Sequence, residues 1–185
     1  ETDLLQRAAA SNNDTMQVHS LRVMFEMEQL EPELLDVARG HLEHTSPHVR
    51  RQAVMVLSQH PDTKHVRPLL DLLGTSDQED THFYYSIRQS LRDQVRDMQV
   101  LRWVNAQTWQ ETGARHLADV MVGVDDADAG QFLLSYLAEH DEPLDTRKRY
   151  VKHAARWLPA AAMDQLVTVL EPIGKNRPDE DYSIF

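Results

Sequence analysis

The sequence predicts an all-α protein, built as a superhelix of about five stacked helical hairpins. The composition favours helix, because it is rich in Leu, Ala, Gln, Arg, Glu and Met and holds only six glycines among 185 residues. Runs of β-branched residues, which a sheet would need, are few. Apolar residues also recur at helical spacing, and the whole pattern repeats about every 33 residues.

The first helix of the clearest hairpin lies in residues 42–61, LEHTSPHVRRQAVMVLSQHP. Ser46 and Pro47 have the residue types of an N-cap and a first helical position. One apolar stripe follows at i, i+4, i+7 and i+8: Val49, Ala53, Val56 and Leu57. A second helix begins at Asp62-Thr63 and is predicted to end at Gly74, with Val66, Leu69, Leu70 and Leu73 on its buried face.

The same pair of helices recurs along the chain in two separate registers. The first-helix anchors are Met16, Val49, Phe83, Leu117 and Tyr150, spaced by 33, 34, 34 and 33 residues. The second-helix anchors are Leu34, Val66, Val100, Leu133 and Leu166, spaced by 32, 34, 33 and 33. Asp-Thr pairs at 14–15, 62–63, 80–81 and 145–146 are predicted to cap helices. Because a single hairpin cannot bury its apolar face alone, the units are expected to stack.

These registers set the predicted boundaries. One helical-repeat domain covers 1–172, starts with a cap helix at 2–11, and is followed by a tail or linker at 173–185. The repeats are placed at about 14–44, 45–75, 79–110, 112–141 and 145–172.

Charge and composition exclude several classes of function. The net charge of −11 disfavours a general nucleic-acid binder, which needs a basic face to neutralise phosphates. The absence of cysteine excludes disulfides, thiolate metal sites and Cys-x-x-Cys-His haem attachment within this sequence. No apolar run approaches the roughly 20 residues of a membrane-spanning helix. The start ETDLLQ, without Met or a signal peptide, leads us to expect a piece of a longer protein.

The segment PHVRRQAVMVL at 47–57 resembles a HEAT repeat, which favours Val-Arg followed by a small residue and Leu. This resemblance implies a HEAT- or armadillo-like superhelix that binds proteins. The strings at 18–54, 80–95 and 149–159 also resemble the HEAT region of large secreted proteins of planctomycetes, verrucomicrobia and some Bacteroidetes. Such proteins join that region to a dehydrogenase-like propeller and a cytochrome c domain. The likeness implies a spacer and docking module, periplasmic or extracellular, with cytoplasmic as the alternative.

Contact residues are expected on the second helices, at exposed positions between the apolar anchors: Arg67, Asp71, Arg102 and Asn105. A basic stripe is predicted on the helix near 146–156, formed by Lys148, Arg149, Lys152 and Arg156. A solvated basic face is the simpler interpretation of that stripe. His19, His116 and His153 are expected to make hydrogen bonds between hairpins rather than to bind a ligand.

The histidines His41, His44 and His48 are the tightest candidate metal ligands, since two of them lie one helical turn apart. Polar residues near a helix C-terminus explain them more simply, so no metal and no cofactor are expected. No catalytic motif is present. The predicted function is a non-catalytic scaffold for a protein partner or neighbouring domains. The alternative is a helical-repeat enzyme, such as a nucleic-acid glycosylase or chromophore lyase, which a cleft with a carboxylate beside an exposed aromatic would favour.

Overall fold

The computed structural model describes the backbone of residues 2–176 and the side chains of residues 2–169. Within that part of the chain there are eleven α-helices, two short 3₁₀ helices and no strand. The chain divides into two compact units, 1–100 and 101–185. The all-α class predicted from composition is therefore confirmed.

The first unit is a series of hairpins with a helix in front of them. Its helices are α1 Thr2–Ala9, α2 Asp14–Glu26, α3 Pro32–Gly40, α4 Pro47–Gln59, α5 Thr63–Thr75 and α6 Thr81–Val95, with a 3₁₀ turn His41–Glu43 after α3. The first helices pack in sequence, α2 on α4 and α4 on α6, while α3 packs on α4 and α5 on α6. Helix α1 covers α2 and α3, as a cap helix should.

The second unit repeats the arrangement with fewer helices. The boundary between the units falls inside α7 Met98–Asn105. The helices that follow are α8 Glu111–Met121, α9 Ala127–Glu139, α10 Leu144–Trp157 and α11 Met163–Asn176, with a 3₁₀ turn Ala160–Ala162 before the last. Helix α9 packs between α8 and α10 and also contacts α11. Each unit thus has the side-by-side helix packing of an α–α superhelix.

The two apolar registers form the core. All five second-helix anchors are buried, and so are four of the five first-helix anchors, Val49, Phe83, Leu117 and Tyr150. The prediction for Met16 is wrong, because 49% of this residue is exposed. The buried stripe of α2 instead begins at Gln17, whose side-chain amide donates to the Ser11 carbonyl at 2.9 Å, and continues through Leu21 and Met24.

Helix starts follow the residue types in some places and not in others. Asp62 and Asp80 cap their helices, since their carboxylates accept the backbone N–H groups of Lys64 at 2.8 Å and Phe83 at 3.0 Å. The other two Asp-Thr predictions are wrong. Asn13 caps α2, and α10 begins after Pro143, so that Asp145 already lies in its first turn.

Helix ends also differ from the sequence prediction by a few residues. Gly74 does not end α5, which continues to Thr75 without a positive φ angle. Helix α11 runs to Asn176, so residues 173–176, which the sequence placed in the tail, are helical. The remainder of the predicted tail, 177–185, lies outside the described residues.

Candidate functional site

A groove of about 970 Å³ opens in the first unit between the second helices α3 and α5. The 3₁₀ turn after α3 and the segment between α5 and α6 also contribute lining residues. Fourteen residues line it: Asp36, Arg39, Gly40, Leu42, Glu43, Arg50, Pro68, Asp71, Leu72, Thr75, Ser76, Asp77, Asp80 and Phe83. Its size is at the upper end of what small-molecule sites show. The groove therefore has room for a few side chains of a bound partner.

The floor of the groove is apolar. Leu42 and Phe83 are buried, and Leu72 and Pro68 are half-buried beside them. The Arg50 guanidinium lies 5.6 Å from the centroid of the Phe83 ring, which is a cation–π distance. Arg50 also donates to the carbonyls of His44 at 2.8 Å and Thr45 at 3.2 Å. Phe83 therefore serves as packing under a fixed arginine and offers no exposed aromatic face.

The lining carries more negative than positive charge, with five carboxylates and two guanidinium groups. Both arginines are already engaged, Arg50 by the carbonyls above and Arg39 by an ion pair with Asp36 one turn away. Asp80 is engaged as well, because it caps α6 and lies 3.6 Å from a guanidinium nitrogen of Arg51. Three carboxylates remain without a cation partner among the described residues, on Glu43, Asp71 and Asp77.

The four predicted contact residues are divided between the two units, with Arg67 and Asp71 in the first and Arg102 and Asn105 in the second. Asp71 lines the groove, while the exposed Arg67, one turn earlier on α5, does not. Arg102 and Asn105 lie in the second unit, where both contact Asp128 at the start of α9. The Arg102 Nε is 3.6 Å from the Asp128 carboxylate, and the Asn105 amide donates to the Asp128 carbonyl at 3.0 Å.

The predicted basic stripe lies on α10, and two of its four members are in contact with neighbouring side chains. Arg149 pairs with Asp119, and the Arg156 guanidinium lies 5.4 Å from the Trp157 ring centroid. Lys152 is exposed and Lys148 half-buried. The stripe therefore includes structural contacts as well as solvated charge.

Two of the three candidate metal ligands, His41 and His44, make contacts near the end of α3 instead. The ring nitrogens of His41 lie 2.7 Å from the Val37 carbonyl and 3.1 Å from the Ala9 carbonyl, which ties α1 to α3. The His44 ring stacks on it at 5.9 Å and its Nδ1 accepts the Ser46 N–H at 3.0 Å. His48 is exposed. Across the described part of the chain, no three His, Asp or Glu side chains are arranged to hold a metal ion.

Of the histidines expected to bond between hairpins, His153 does so. Its Nε2 lies 2.9 Å from the Val124 carbonyl just after α8. His19 is exposed on α2, so the expectation for that residue is wrong.

Sequence reasoning missed a buried polar link between the hairpins of the first unit. The fully buried Gln94 on α6 donates its amide to the Leu57 carbonyl at 2.6 Å and accepts the Asp62 N–H at 2.9 Å. Leu57 lies in the last turn of α4, and Asp62 is the N-cap of α5. A glutamine between apolar residues of a helix is the only signal in the sequence for this link.

A second missed cluster lies around Glu142 in the second unit. This buried carboxylate accepts the Tyr136 hydroxyl at 2.5 Å and pairs with Arg115 at 3.0 Å. Burial raises the pKa of Tyr136 far above its ordinary value, and the hydrogen bond to Glu142 adds to the shift. Tyr150, bonded to Asp119 at 2.8 Å, has its pKa raised in the same way, first by burial and then by that carboxylate. These contacts join α8 to α10, and join both α8 and α9 to the segment between α9 and α10.

The sequence analysis also did not predict that His65 is buried. His65 on α5 is fully buried, next to the His60 backbone and the Gln94 side chain. Burial lowers the pKa of His65 below 6.5, although the nearby Asp62 carboxylate acts in the opposite direction. The residue is therefore neutral in the folded protein near pH 7.

Comparison with known proteins finds a match for part of the chain. The family model for HEAT repeats matches residues 1–82, so this part of the chain is similar to HEAT repeats. No curated protein matches the sequence.

Two solved structures, both engineered proteins from a structural genomics consortium, are similar to this chain at low sequence identity. One is 16% identical, with 99% of this chain and 92% of that chain covered and a TM-score of 0.46. The other is 18% identical, with 91% of this chain covered and a TM-score of 0.47, and the match spans about half (51%) of that chain. Among the described residues, no helix is both long and apolar enough to cross a bilayer.

Proposed function

We propose that this chain is a non-catalytic scaffold that binds a segment of a protein partner, or of a neighbouring domain, in the groove between α3 and α5. The observation that carries the proposal is the groove itself, which combines an apolar floor with three carboxylates that have no cation partner in the described part of the chain. Protein interfaces commonly pair a desolvated apolar centre with a polar rim. Helical repeats also present second helices side by side, which gives a partner a continuous surface.

The enzyme alternative has less support. A helical-repeat glycosylase or lyase would be favoured by a carboxylate beside an exposed aromatic ring. In the groove the aromatic ring is that of Phe83, which is buried under Arg50. The basic stripe on α10 gives little support to a nucleic-acid partner, because Arg149 and Arg156 already contact Asp119 and Trp157.

A finer proposal is that this region belongs to a larger exported protein with redox domains, which would place it in the periplasm or outside the cell. The support for it is the likeness of the strings at 18–54, 80–95 and 149–159. Intact mass and haem absorbance of the native product test it. A mass far above 21.3 kDa with a c-type haem spectrum is expected, whereas a haem-free product near that mass would contradict it and favour a free-standing adaptor.

Site-directed photo-crosslinking tests the scaffold function. A benzoylphenylalanine placed at Thr75, an exposed groove position, is expected to give a protein adduct of defined mass in extracts of the source organism. The matched control carries the same group at the exposed Arg22 on α2, outside the groove, and is expected to give no such adduct. Equal labelling from both positions, or none from Thr75, would contradict a groove-centred scaffold.

A further inference from the structure

We infer that the segment held in the groove is basic, with lysine or arginine side chains flanking an apolar one. This inference rests on the proposed function, because it specifies the chemistry of the occupant. It starts from the lining, in which five carboxylates face two guanidinium groups.

The carboxylates that lack a cation are the ones best placed to meet a partner. Asp71 is exposed on α5, and Asp77 is exposed in the segment after that helix. The Asp77 carboxylate accepts the Glu79 N–H at 2.9 Å, which fixes its position at the groove. Glu43 is exposed on the opposite side, in the 3₁₀ turn after α3. Carboxylates therefore flank the groove from both sides, and cationic side chains are the complementary charge.

The apolar floor is the second feature of the groove that a bound segment must complement. The half-buried Pro68 and Leu72 leave apolar surface in the groove that the carboxylates also line. An apolar side chain seated there would be desolvated, while the cations on either side reach the rim. An anchor surrounded by polar contacts is the usual arrangement of a peptide in a groove. The carboxylates explain why the bound segment should carry cations, and the apolar floor explains why it should also carry an apolar side chain.

Occupants from this same chain fit less well. Residues 177–185, RPDEDYSIF, carry three carboxylates and a single arginine. Their net charge is therefore negative, as is that of the groove, and the two would repel each other. The α10 stripe of a second copy is basic, but a net charge of −11 on each copy opposes association. A separate basic segment is therefore the occupant that the charges favour.

Fluorescence anisotropy with the full chain tests this inference. The probe is a fluorescein-labelled KLKKLK peptide, and ELEELE with the same label is the matched peptide control. The test variant is Glu43→Gln/Asp71→Asn/Asp77→Asn, which removes three groove charges without changing side-chain size. The matched control variant, Glu28→Gln/Glu111→Gln/Asp125→Asn, removes three charges at exposed positions that do not line the groove.

The basic probe is expected to bind, and the groove variant to bind it about tenfold more weakly, since each exposed charge pair changes affinity by about two- to fivefold. The control variant should stay within about twofold, and salt should weaken binding to the unaltered chain. Equal loss in both variants, equal binding of ELEELE, or self-association through the α10 stripe would overturn the inference. If Thr75 crosslinks to a partner whose contact segment is neutral or acidic, the scaffold function stands and the basic occupant is refuted.

Discussion

Gln94 gives the sharpest test of how the hairpins are joined, because its buried amide links α6 both to the end of α4 and to the N-cap of α5. Replacing it with methionine keeps the length of the side chain and removes both hydrogen bonds. The Asp62 N–H then loses its partner, whereas the Leu57 carbonyl keeps the bond from the His60 N–H at 3.1 Å. One orphaned donor costs about 1–3 kcal/mol and one further lost bond about 1 kcal/mol. The free energy of unfolding should therefore fall by about 2–4 kcal/mol.

The assay is urea unfolding followed by circular dichroism, with Gln89→Met as the matched control. Gln89 is exposed on the same helix, so its replacement should change the free energy of unfolding by less than about 0.5 kcal/mol. Hydrogen exchange adds a local readout, since the Asp62 amide should lose protection in the Gln94 variant. A change below about 0.5 kcal/mol for Gln94→Met, or equal changes for the two variants, would refute the reasoning.

Three further predictions concern stability. The free energy of unfolding should decline as the pH falls below 6.5, because the unfolded chain then binds a proton that the buried neutral His65 does not. In urea titrations at pH 7.5 and 5.5, the decline should be smaller for His65→Leu than for the unaltered chain. Stability should also decline above about pH 10, where unfolded tyrosine ionises and the buried Tyr150 does not, and Tyr150→Phe should reduce this alkaline loss. Gly113→Ala should raise the free energy of unfolding by about 0.5–1 kcal/mol, since a Cβ there meets nothing within 4 Å; Gly130→Ala should gain less, because its Cβ would lie 3.3 Å from Leu158 Cγ. Unchanged pH profiles in the two replacements, or equal gains at the two glycines, would contradict these three expectations.

The fold was largely predictable because the same pattern of apolar residues recurs in each hairpin. The anchors at Leu34, Val66, Val100, Leu133 and Leu166 are all buried, and burial every 33 residues or so is the pattern that stacked hairpins impose. The prediction that Met16 is buried was wrong, because apolar character alone does not decide which side of a helix faces its neighbours. In α2 the polar Gln17 takes the buried position, since its amide finds a carbonyl partner.

The site was far less predictable. Asp71 was named as a contact residue and lines the groove, but Glu43 and Asp77 come from turns whose position depends on the packing of α3 against α5. His41 looked like a metal ligand in the sequence, yet its two ring nitrogens lie 2.7 Å and 3.1 Å from carbonyl oxygens of α3 and α1, which are 4 and 32 residues away. Local spacing reports neighbours on one helix, whereas the groove and the histidine links join separate helices.

Hydrogen–deuterium exchange of the full chain, with and without saturating KLKKLK peptide, tests the groove as the binding surface most directly. The account predicts slower exchange in segments 36–43 and 68–80, which carry most of the lining, and no change in α10. Protection centred on α10, or no protection of those two segments while the peptide is bound, would contradict it.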